Sequence, residues 1–135
     1  MNIAILLPYK ENYSKKLAGA VSIFVNDTNN YSKFNKKINV YGFTEQENHL
    51  KNYINLNLKK KLFTSTSYQY VKNFLKIIKT KKIDILEVHN RPHYISYLEE
   101  LRNTKKILYF HNDPLNMQGS TTVKERLKLI DNTDK

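Results

Sequence analysis

A stretch of polar residues, His111 to Ser120, follows directly after the apolar run Ile107 to Phe110. It brings an imidazole, an amide and a carboxylate, from His111, Asn112 and Asp113, to the end of a predicted strand before a proline breaks the chain. Open α/β folds bind their ligands at the carboxyl edge of the sheet, where strands end in this way. The stretch therefore predicts a binding or catalytic cleft at that edge.

His111 carries the side chain best suited to acid–base chemistry, because an unperturbed imidazole exchanges protons at about pH 6.5. It could act as a general base or hydrogen-bond a substrate hydroxyl, and Asp113 could orient an imidazole or pair with a cation. Both are our candidate catalytic residues. The alternative is that His111 only ends a strand and that Asp113 and Pro114 only turn the chain.

The turn His89-Asn90-Arg91-Pro92 follows another predicted strand, and its first three residues are candidate substrate-binding residues. Arg91 is one of only three arginines, although a surface ion pair with Glu99 or Glu100 would also explain it. All parallel strands end at the same sheet edge, so we expect this turn and the stretch after Phe110 to line one crevice.

Gly19 and Ala20 open an apolar helical stripe and are candidates for contact with a phosphate or cofactor group. A glycine at a helix start lets a ligand approach the backbone amides, which suits a phosphate or a sugar hydroxyl. The alternative is a plain turn glycine, because the spacing of a dinucleotide fingerprint is missing. His89, His111 and Asp113 lack the close spacing of a zinc-binding pair, so we expect neither a metal nor a bound cofactor.

Short apolar runs alternate with helical periodicity along the chain, which is typical of βαβ units with strands buried on both faces. We predict one domain over residues 1–135, an α/β Rossmann-like three-layer sandwich with a mainly parallel sheet. The predicted strands are Ile3–Leu7, Ile38–Phe43, Tyr53–Leu56, Ile83–Val88 and Ile107–Phe110.

Helical patterns fill the intervals between these strands. The first includes Leu17, Ala20, Val21, Phe24 and Val25; the second is Tyr70–Ile78 and the third Tyr94–Leu101. Thr121 or Thr122 can cap a last helix together with Glu125, and we expect Val123, Leu127 and Ile130 on its inner face. Residues 131–135 resemble a turn that feeds another strand.

The chain has 135 residues, no cysteine and a formal net charge of +11, carried mostly by lysine. The excess of lysine indicates either a solvated surface, including the lysines at 59 to 61, or attraction to an anionic partner or bilayer. Because arginines are few, specific nucleic-acid binding is disfavoured. The first apolar run ends at Pro8, too early for a secretory segment, and no run could span a membrane, so we expect a cytoplasmic protein.

In these residues the chain resembles the amino-terminal half of a group 1, or family 4, glycosyltransferase of the GT-B architecture. The likeness covers nearly the whole chain and depends on Asn2–Pro8, Gly19-Ala20, Ile83–Pro92 and, above all, Tyr109–Pro114. It continues through Gly119-Ser120 into the helix that bears Glu125 and Arg126.

The resemblance implies a transferase that moves a sugar from a nucleotide-sugar to a glycan or lipid-linked acceptor, in cell-surface polysaccharide or lipopolysaccharide synthesis. Gly19 would lie beside the donor phosphates and His111 would face the donor sugar. Arg91, Asn112, Asp113 and Arg126 would be acceptor or cleft residues. Where the family has a glycine pair, this chain has Gly19-Ala20.

The donor-binding carboxyl-terminal domain of such enzymes has no counterpart in these residues, so we expect the isolated chain to be inactive. Enzymes of this kind often work at the inner face of the membrane, which would give the lysine excess a use. A second hypothesis is a non-catalytic Rossmann-like binding or assembly subunit that acts with a separate partner chain. An uncovered apolar face could also be buried by homodimerisation.

Overall fold

The computed structural model of the protein describes residues 1–58 and 63–134. Its centre is a five-stranded sheet, entirely parallel, in the order β3-β2-β1-β4-β5. The strands are β1 (Ile3–Leu6), β2 (Ile38–Gly42), β3 (Tyr53–Asn55), β4 (Ile85–His89) and β5 (Lys105–Tyr109). The predicted α/β class with a parallel, Rossmann-like sheet is confirmed. The lysines at 59 to 61 lie outside the described residues.

Helices lie between consecutive strands, except between β2 and β3. The α-helices of the described residues are α1 (Ala20–Tyr31), α2 (Thr66–Ile78) and α3 (Val123–Asn132), and the 3-10 helices are Asn35–Lys37, Pro92–Tyr97 and Pro114–Asn116. In these parts of the chain, no helix combines the length and the apolar character needed to cross a bilayer.

The central strand β1 is buried on both faces, which explains why its sequence is a continuous apolar run. Ile3 and Ile5 pack with residues of α1 in one apolar cluster. Ala4 and Leu6 belong to a second cluster with α2. The α2 residues in that cluster are Tyr70, Val71, Phe74, Leu75 and Ile78.

Helix α2 contains the predicted segment Tyr70–Ile78 and begins one turn earlier, at Thr66. It starts there because the Ser65 side chain accepts a hydrogen bond from the Tyr68 amide and caps the helix. The buried Tyr70 hydroxyl donates to the Leu7 carbonyl at 2.9 Å. This bond satisfies the backbone where β1 ends and so fixes the start of the following loop.

The predicted α-helix Tyr94–Leu101 is wrong: the segment forms the 3-10 helix Pro92–Tyr97 followed by single turns. Its backbone bonds run from each residue to the third one before it, as from the Leu98 amide to the Ile95 carbonyl. The tighter winding buries Tyr94, whose hydroxyl accepts a bond from the Tyr9 amide at 3.2 Å. Tertiary contacts therefore override the local helical pattern.

Helix α3 begins as the sequence predicts, with a capping box between Thr122 and Glu125. The expected inner face is wrong, because Val123, Leu127 and Ile130 are 63%, 57% and 69% exposed. Leu129 packs against the core instead. The face of α3 that carries Glu125, Leu129 and Asn132 lies against the 3-10 helix Pro92–Tyr97, so this tertiary contact decides which side of α3 turns inward. The Arg126 guanidinium donates to the carbonyls of Ser120 and Thr121 in the turn before the helix.

Strand β5 forms one edge of the sheet, and Asp134 pairs with that edge after α3. The Lys106 amide donates to the Asp134 carboxylate at 2.8 Å, and the Asp134 amide donates to the Lys106 carbonyl at 2.7 Å. The expected turn at residues 131–135 thus returns the chain to the sheet, with Lys135 outside the described residues.

Candidate functional site

The candidate site lies where the strand order reverses, because the chain extends from β1 outward to β3 and then resumes at β4 on the other side of β1. In an open parallel sheet this reversal leaves a crevice at the carboxyl ends of the strands. The loops after β1, β4 and β5 all reach that edge. They carry most of the residues that the sequence singled out.

Two of the predicted residues, His89 and His111, are in direct contact. His89 Nδ1 lies 2.8 Å from His111 Nε2, so one ring donates a hydrogen bond to the other. His89 is 1% exposed, whereas His111 is partly exposed. Burial lowers the pKa of His111, the neighbouring His89 lowers it further, and the Glu11 carboxylate opposes the shift. The lowered pKa of His111 favours its neutral imidazole, which can accept a proton.

Aromatic rings hold this histidine pair in place. The Tyr109 ring stacks on His89 with centroids 4.9 Å apart and an angle of 8° between the planes. Phe24 of α1 meets His111 edge-on at 4.9 Å. Phe24 was predicted only as part of an apolar stripe, yet its ring covers the imidazole at the end of β5.

Asn90 links the loops after β4 and β5. It adopts a left-handed backbone with φ of 53°, which asparagine tolerates better than most residues. Its side-chain oxygen accepts from the His111 amide at 2.8 Å, and its own amide donates to the Tyr109 carbonyl at 2.8 Å. The Arg91 guanidinium donates to the Asn90 carbonyl at 2.7 Å. Asn90 therefore sets the positions of the residues on both sides of it.

Arg91 lines an open crevice of about 490 Å³ between these two loops. The alternative ion pair with Glu99 or Glu100 does not form, because these glutamates pair with Lys128 and Lys72. Polar side chains contribute much of the crevice lining. They belong to Arg91, Asn112, Asp113, Asn116 and Gln118.

Asp113 lies at the mouth of this crevice and caps the 3-10 helix Pro114–Asn116. Its carboxylate accepts from the Leu115 amide at 2.9 Å and from the Asn116 side-chain amide at 2.7 Å. The carboxylate is thus held by the turn that it starts. Arg126 also binds backbone carbonyls, those of Ser120 and Thr121, and does not line the crevice around Arg91.

Gly19 is the N-cap of α1 and Ala20 its first residue. The sequence predicted open amides here, but the Glu11 carboxylate accepts from the Ser22 amide at 3.0 Å. A Cβ atom at Gly19 would overlap that carboxylate, which shows how closely it approaches the helix start. The amino end of α1 favours a negative charge, as the sequence predicts. The Glu11 carboxylate supplies that charge.

Replacing Glu11 with alanine should therefore lower the free energy of unfolding by about 1 kcal/mol, the typical effect of losing a helix cap. Glu11→Gln keeps an acceptor for the Ser22 amide and should lose less. Urea unfolding curves of the two variants and the unchanged protein give their free energies of unfolding for comparison. Equal stability of Glu11→Ala and the unchanged protein would show that this carboxylate does not stabilise α1.

Glu87 and Glu11 are the site residues that the sequence analysis missed. Glu87 lies two residues before His89 on β4, and alternate residues of a strand share a face, so the spacing alone could have paired them. Its Oε2 atom lies 3.7 Å from His89 Nε2. Glu11 gave no comparable signal, because it sits in an irregular loop between β1 and α1.

Histidines outside the pair have simpler surroundings. His49 is exposed and lies against the Tyr53 ring at 4.6 Å. His93 is half-buried beside the turn at Gly119, and burial lowers its pKa. Within residues 1–58 and 63–134, no three His, Asp or Glu side chains cluster closely enough to hold a metal ion.

The stability of the protein should fall on mild acidification. The pKa values of His93 and His111 lie below the ordinary 6.5, so the unfolded chain takes up protons first and the folded state is disfavoured as the pH falls below that value. Urea unfolding from about pH 7.5 to about pH 5.5 should show this loss. His93→Asn and His111→Asn should each flatten the slope, whereas stability that rises on acidification would contradict the inference.

No protein-family model matches the chain, and neither does any curated protein. The assignment of the site residues therefore depends on their geometry in the structure. His89, Asn90 and His111 come together as the sequence predicts, with Arg91, Asn112 and Asp113 beside them in the adjoining crevice. Gly19 and Ala20 lie at the start of α1, the helix that covers His111 through Phe24.

Proposed function

We propose that the protein is the acceptor-side, Rossmann-like domain of a glycosyltransferase. The reaction transfers a sugar from a nucleotide-sugar to a glycan or lipid-linked acceptor in cell-surface polysaccharide or lipopolysaccharide synthesis. One observation carries the proposal: the bonded pair His89 and His111 lies at the carboxyl ends of β4 and β5, next to the crevice of Arg91. Asn90 joins the two features.

The crevice has the chemistry that recognises sugars. Sugar hydroxyls both donate and accept hydrogen bonds, and the amides of Asn112, Asn116 and Gln118 offer both functions on one wall. Arg91 adds a fixed positive charge, suited to a phosphate or carboxylate on the acceptor. A volume of about 490 Å³ is within the range of small-ligand sites.

His111 supplies the group that meets the reacting sugar in this proposal. Its imidazole is partly exposed, and its lowered pKa keeps it neutral near pH 7, where it can accept a hydrogen bond from a hydroxyl. Glu11 occupies the helix start that would otherwise favour a donor phosphate. We therefore expect this domain to bind the acceptor better than the nucleotide-sugar.

Thermal unfolding in the presence of each ligand tests whether the domain binds the acceptor better than the nucleotide-sugar. Saturating nucleotide-sugars should stabilise the protein little, whereas an oligosaccharide of the accepted type at 100 times its Kd should stabilise it by about 2.7 kcal/mol. Uridine, guanosine and adenosine diphosphate sugars would form the donor panel. A donor that stabilises by about 3 kcal/mol, with no oligosaccharide effect, would contradict the acceptor-side assignment.

Arg91→Ala should weaken acceptor binding by about tenfold or more, because a hydrogen bond to a charged group contributes about 1.5–3 kcal/mol. Arg102→Ala is the matched control, since Arg102 is exposed and lies outside the crevice around Arg91. Calorimetric titration of both variants and the unchanged protein with the same oligosaccharide gives the ratio of their dissociation constants. Equal affinities would remove Arg91 from the binding site.

The proposed location is the cytoplasmic face of the inner membrane. A net charge of +11 attracts anionic lipid, and lysines in α2 and in the turn after it contribute a basic rim around an apolar floor. These rim lysines are Lys72, Lys76, Lys79 and Lys81. Sedimentation with vesicles rich in phosphatidylglycerol, and not with phosphatidylcholine vesicles, is the expected result, with release at high salt. Equal binding to both would contradict it.

A second candidate function, a non-catalytic subunit that docks on a partner chain, draws support from α3. Its exposed Val123, Leu127 and Ile130 form an apolar stripe that the described residues leave uncovered. Light scattering over a range of concentrations distinguishes a homodimer from a monomer. A stable complex that forms without any effect of oligosaccharides would favour this function over the transferase.

A further inference from the structure

Glu87, His89 and His111 form a continuous polar row on the α1 side of the sheet. Glu87 and His89 share a face of β4 as alternate residues, and His111 follows the end of β5. The row runs from Glu87 Oε2 to His89 Nε2 at 3.7 Å, and from His89 Nδ1 to His111 Nε2 at 2.8 Å. It ends at a partly exposed imidazole.

His89 lies between a carboxylate and a second imidazole, and each contact constrains its proton. A neutral imidazole carries one proton, so one of its ring nitrogens donates and the other accepts. The carboxylate of Glu87 favours a proton on His89 Nε2, the nearer nitrogen, which has no hydrogen-bond partner among the described residues. His89 Nδ1 is then the acceptor, and the bond between the rings comes from His111 Nε2.

We propose that His89, biased by Glu87, is a positioning residue that holds the His111 proton on Nε2 and leaves His111 Nδ1 as an acceptor for a sugar hydroxyl. Within the described residues, no group hydrogen-bonds to that nitrogen. The identity of the hydroxyl rests on the proposed function, but the proton position is a property of the protein alone. In a neutral histidine, the hydrogen bond made by one ring nitrogen sets which nitrogen carries the proton.

The surrounding rings stabilise this arrangement against rotation. Tyr109 stacks flat on His89, and Phe24 contacts the His111 ring edge-on. The backbone of His111 is fixed as well, since its amide donates to the Asn90 side chain at 2.8 Å. Glu11 is a second carboxylate that acts on His111. The experiment therefore has to distinguish the effect of Glu11 on the His111 ring from the effect of Glu87.

Nitrogen-15 spectra of the imidazole rings, recorded at alkaline pH, test the proposal directly. The His111 signals should show a protonated Nε2 and an unprotonated Nδ1. A nitrogen–nitrogen coupling should connect His111 Nε2 with His89 Nδ1 across the hydrogen bond. A protonated His111 Nδ1 in the unchanged protein would overturn the proposal.

Four variants identify the groups responsible. His89→Phe keeps a ring against Tyr109 but cannot accept a bond, so the His111 signals should move toward those of free histidine. His89→Asn places an amide oxygen near the position of Nδ1 and should restore the Nε2 proton. Glu87→Gln removes a charge from a partly exposed side chain and should weaken the bias without unfolding the protein. A shift caused by Glu11→Gln and not by Glu87→Gln would also overturn the proposal.

Acceptor titration of the same variants separates this inference from the proposed function. If both hold, His89→Phe should bind the oligosaccharide several-fold more weakly and His89→Asn should bind it as the unchanged protein does. If no oligosaccharide binds while the spectra show the Nε2 proton, only the glycosyltransferase assignment fails. If binding occurs and is equal in all three proteins, the positioning role of His89 fails.

Discussion

Replacing Phe74 with alanine should lower the free energy of unfolding by about 3–5 kcal/mol, the largest effect we expect from one substitution. Phe74 is fully buried in the cluster between the sheet and α2. Its ring meets the edge of Tyr41 on β2 with centroids 5.1 Å apart. Alanine would remove the apolar contacts of the ring and leave a cavity that the sheet cannot close, because interiors are packed as densely as crystals.

The matched control is Phe74→Leu, which keeps most of the apolar volume and should lose clearly less than Phe74→Ala. Urea unfolding midpoints of the three proteins give the comparison, provided that the slope of the transition is unchanged. Equal losses for leucine and alanine would mean that the specific ring contact, and not the cavity, decides the stability. A loss below about 1 kcal/mol for alanine would contradict the packing described for this core.

Gly119→Ala should be the second most damaging change, with a loss of about 2–5 kcal/mol from backbone strain and overpacking together. Gly119 has φ of +92°, a conformation that residues with a Cβ rarely adopt. A Cβ atom there would lie 2.7 Å from the backbone nitrogen of His93 and 2.8 Å from its Cα. Neither backbone atom can move without shifting the 3-10 helix Pro92–Tyr97.

This glycine holds the two loops of the crevice together, so its replacement should also disturb the site. Amide spectra of Gly119→Ala should show shifts at Arg91 and Asn112, on both sides of the crevice, as well as at His93. Gln118→Ala is the control, because it removes an exposed side chain from the neighbouring position and should change stability by about 0.5 kcal/mol or less. If the two variants were equally stable, the close contact with His93 would be refuted.

The central strands could be predicted from the sequence because they are largely buried and their sequences are short apolar runs. The strand Ile38–Phe43 is found as Ile38–Gly42, and Ile83–Val88 as Ile85–His89. The cap of α3 was also predictable, because the side chains of a capping box lie three residues apart in the chain. Such features depend on local sequence alone.

Features that depend on contacts between distant residues were not predictable in the same way. The segment after Pro92 has helical spacing, but the contact of Tyr94 with Tyr9 favours a 3-10 helix. The apolar spacing of α3 gave no indication that a different face of the helix, the one with Leu129, would pack against the rest of the protein. Likewise, nothing in the sequence around Gly19 shows that a carboxylate eight residues earlier binds the start of α1.

The convergence of the loops after β4 and β5 explains why the sequence still located the candidate site. Parallel strands end at one edge, so His89 and His111 had to approach each other once the two strands paired. Their direct bond, and the role of Asn90 in joining the loops, follow from register and backbone geometry that only the structure shows.

An amide chemical-shift map of the nitrogen-15-labelled protein, titrated with an acceptor-type oligosaccharide, tests the central claim most directly. We predict saturable shifts confined to the loops after β4 and β5, strongest at Arg91, His111 and Asn112, with no such response to nucleotide-sugars. Shifts that cluster instead on α3 or on the lysine rim of α2, or an oligosaccharide that leaves Arg91 and His111 unmoved at saturation, would contradict it.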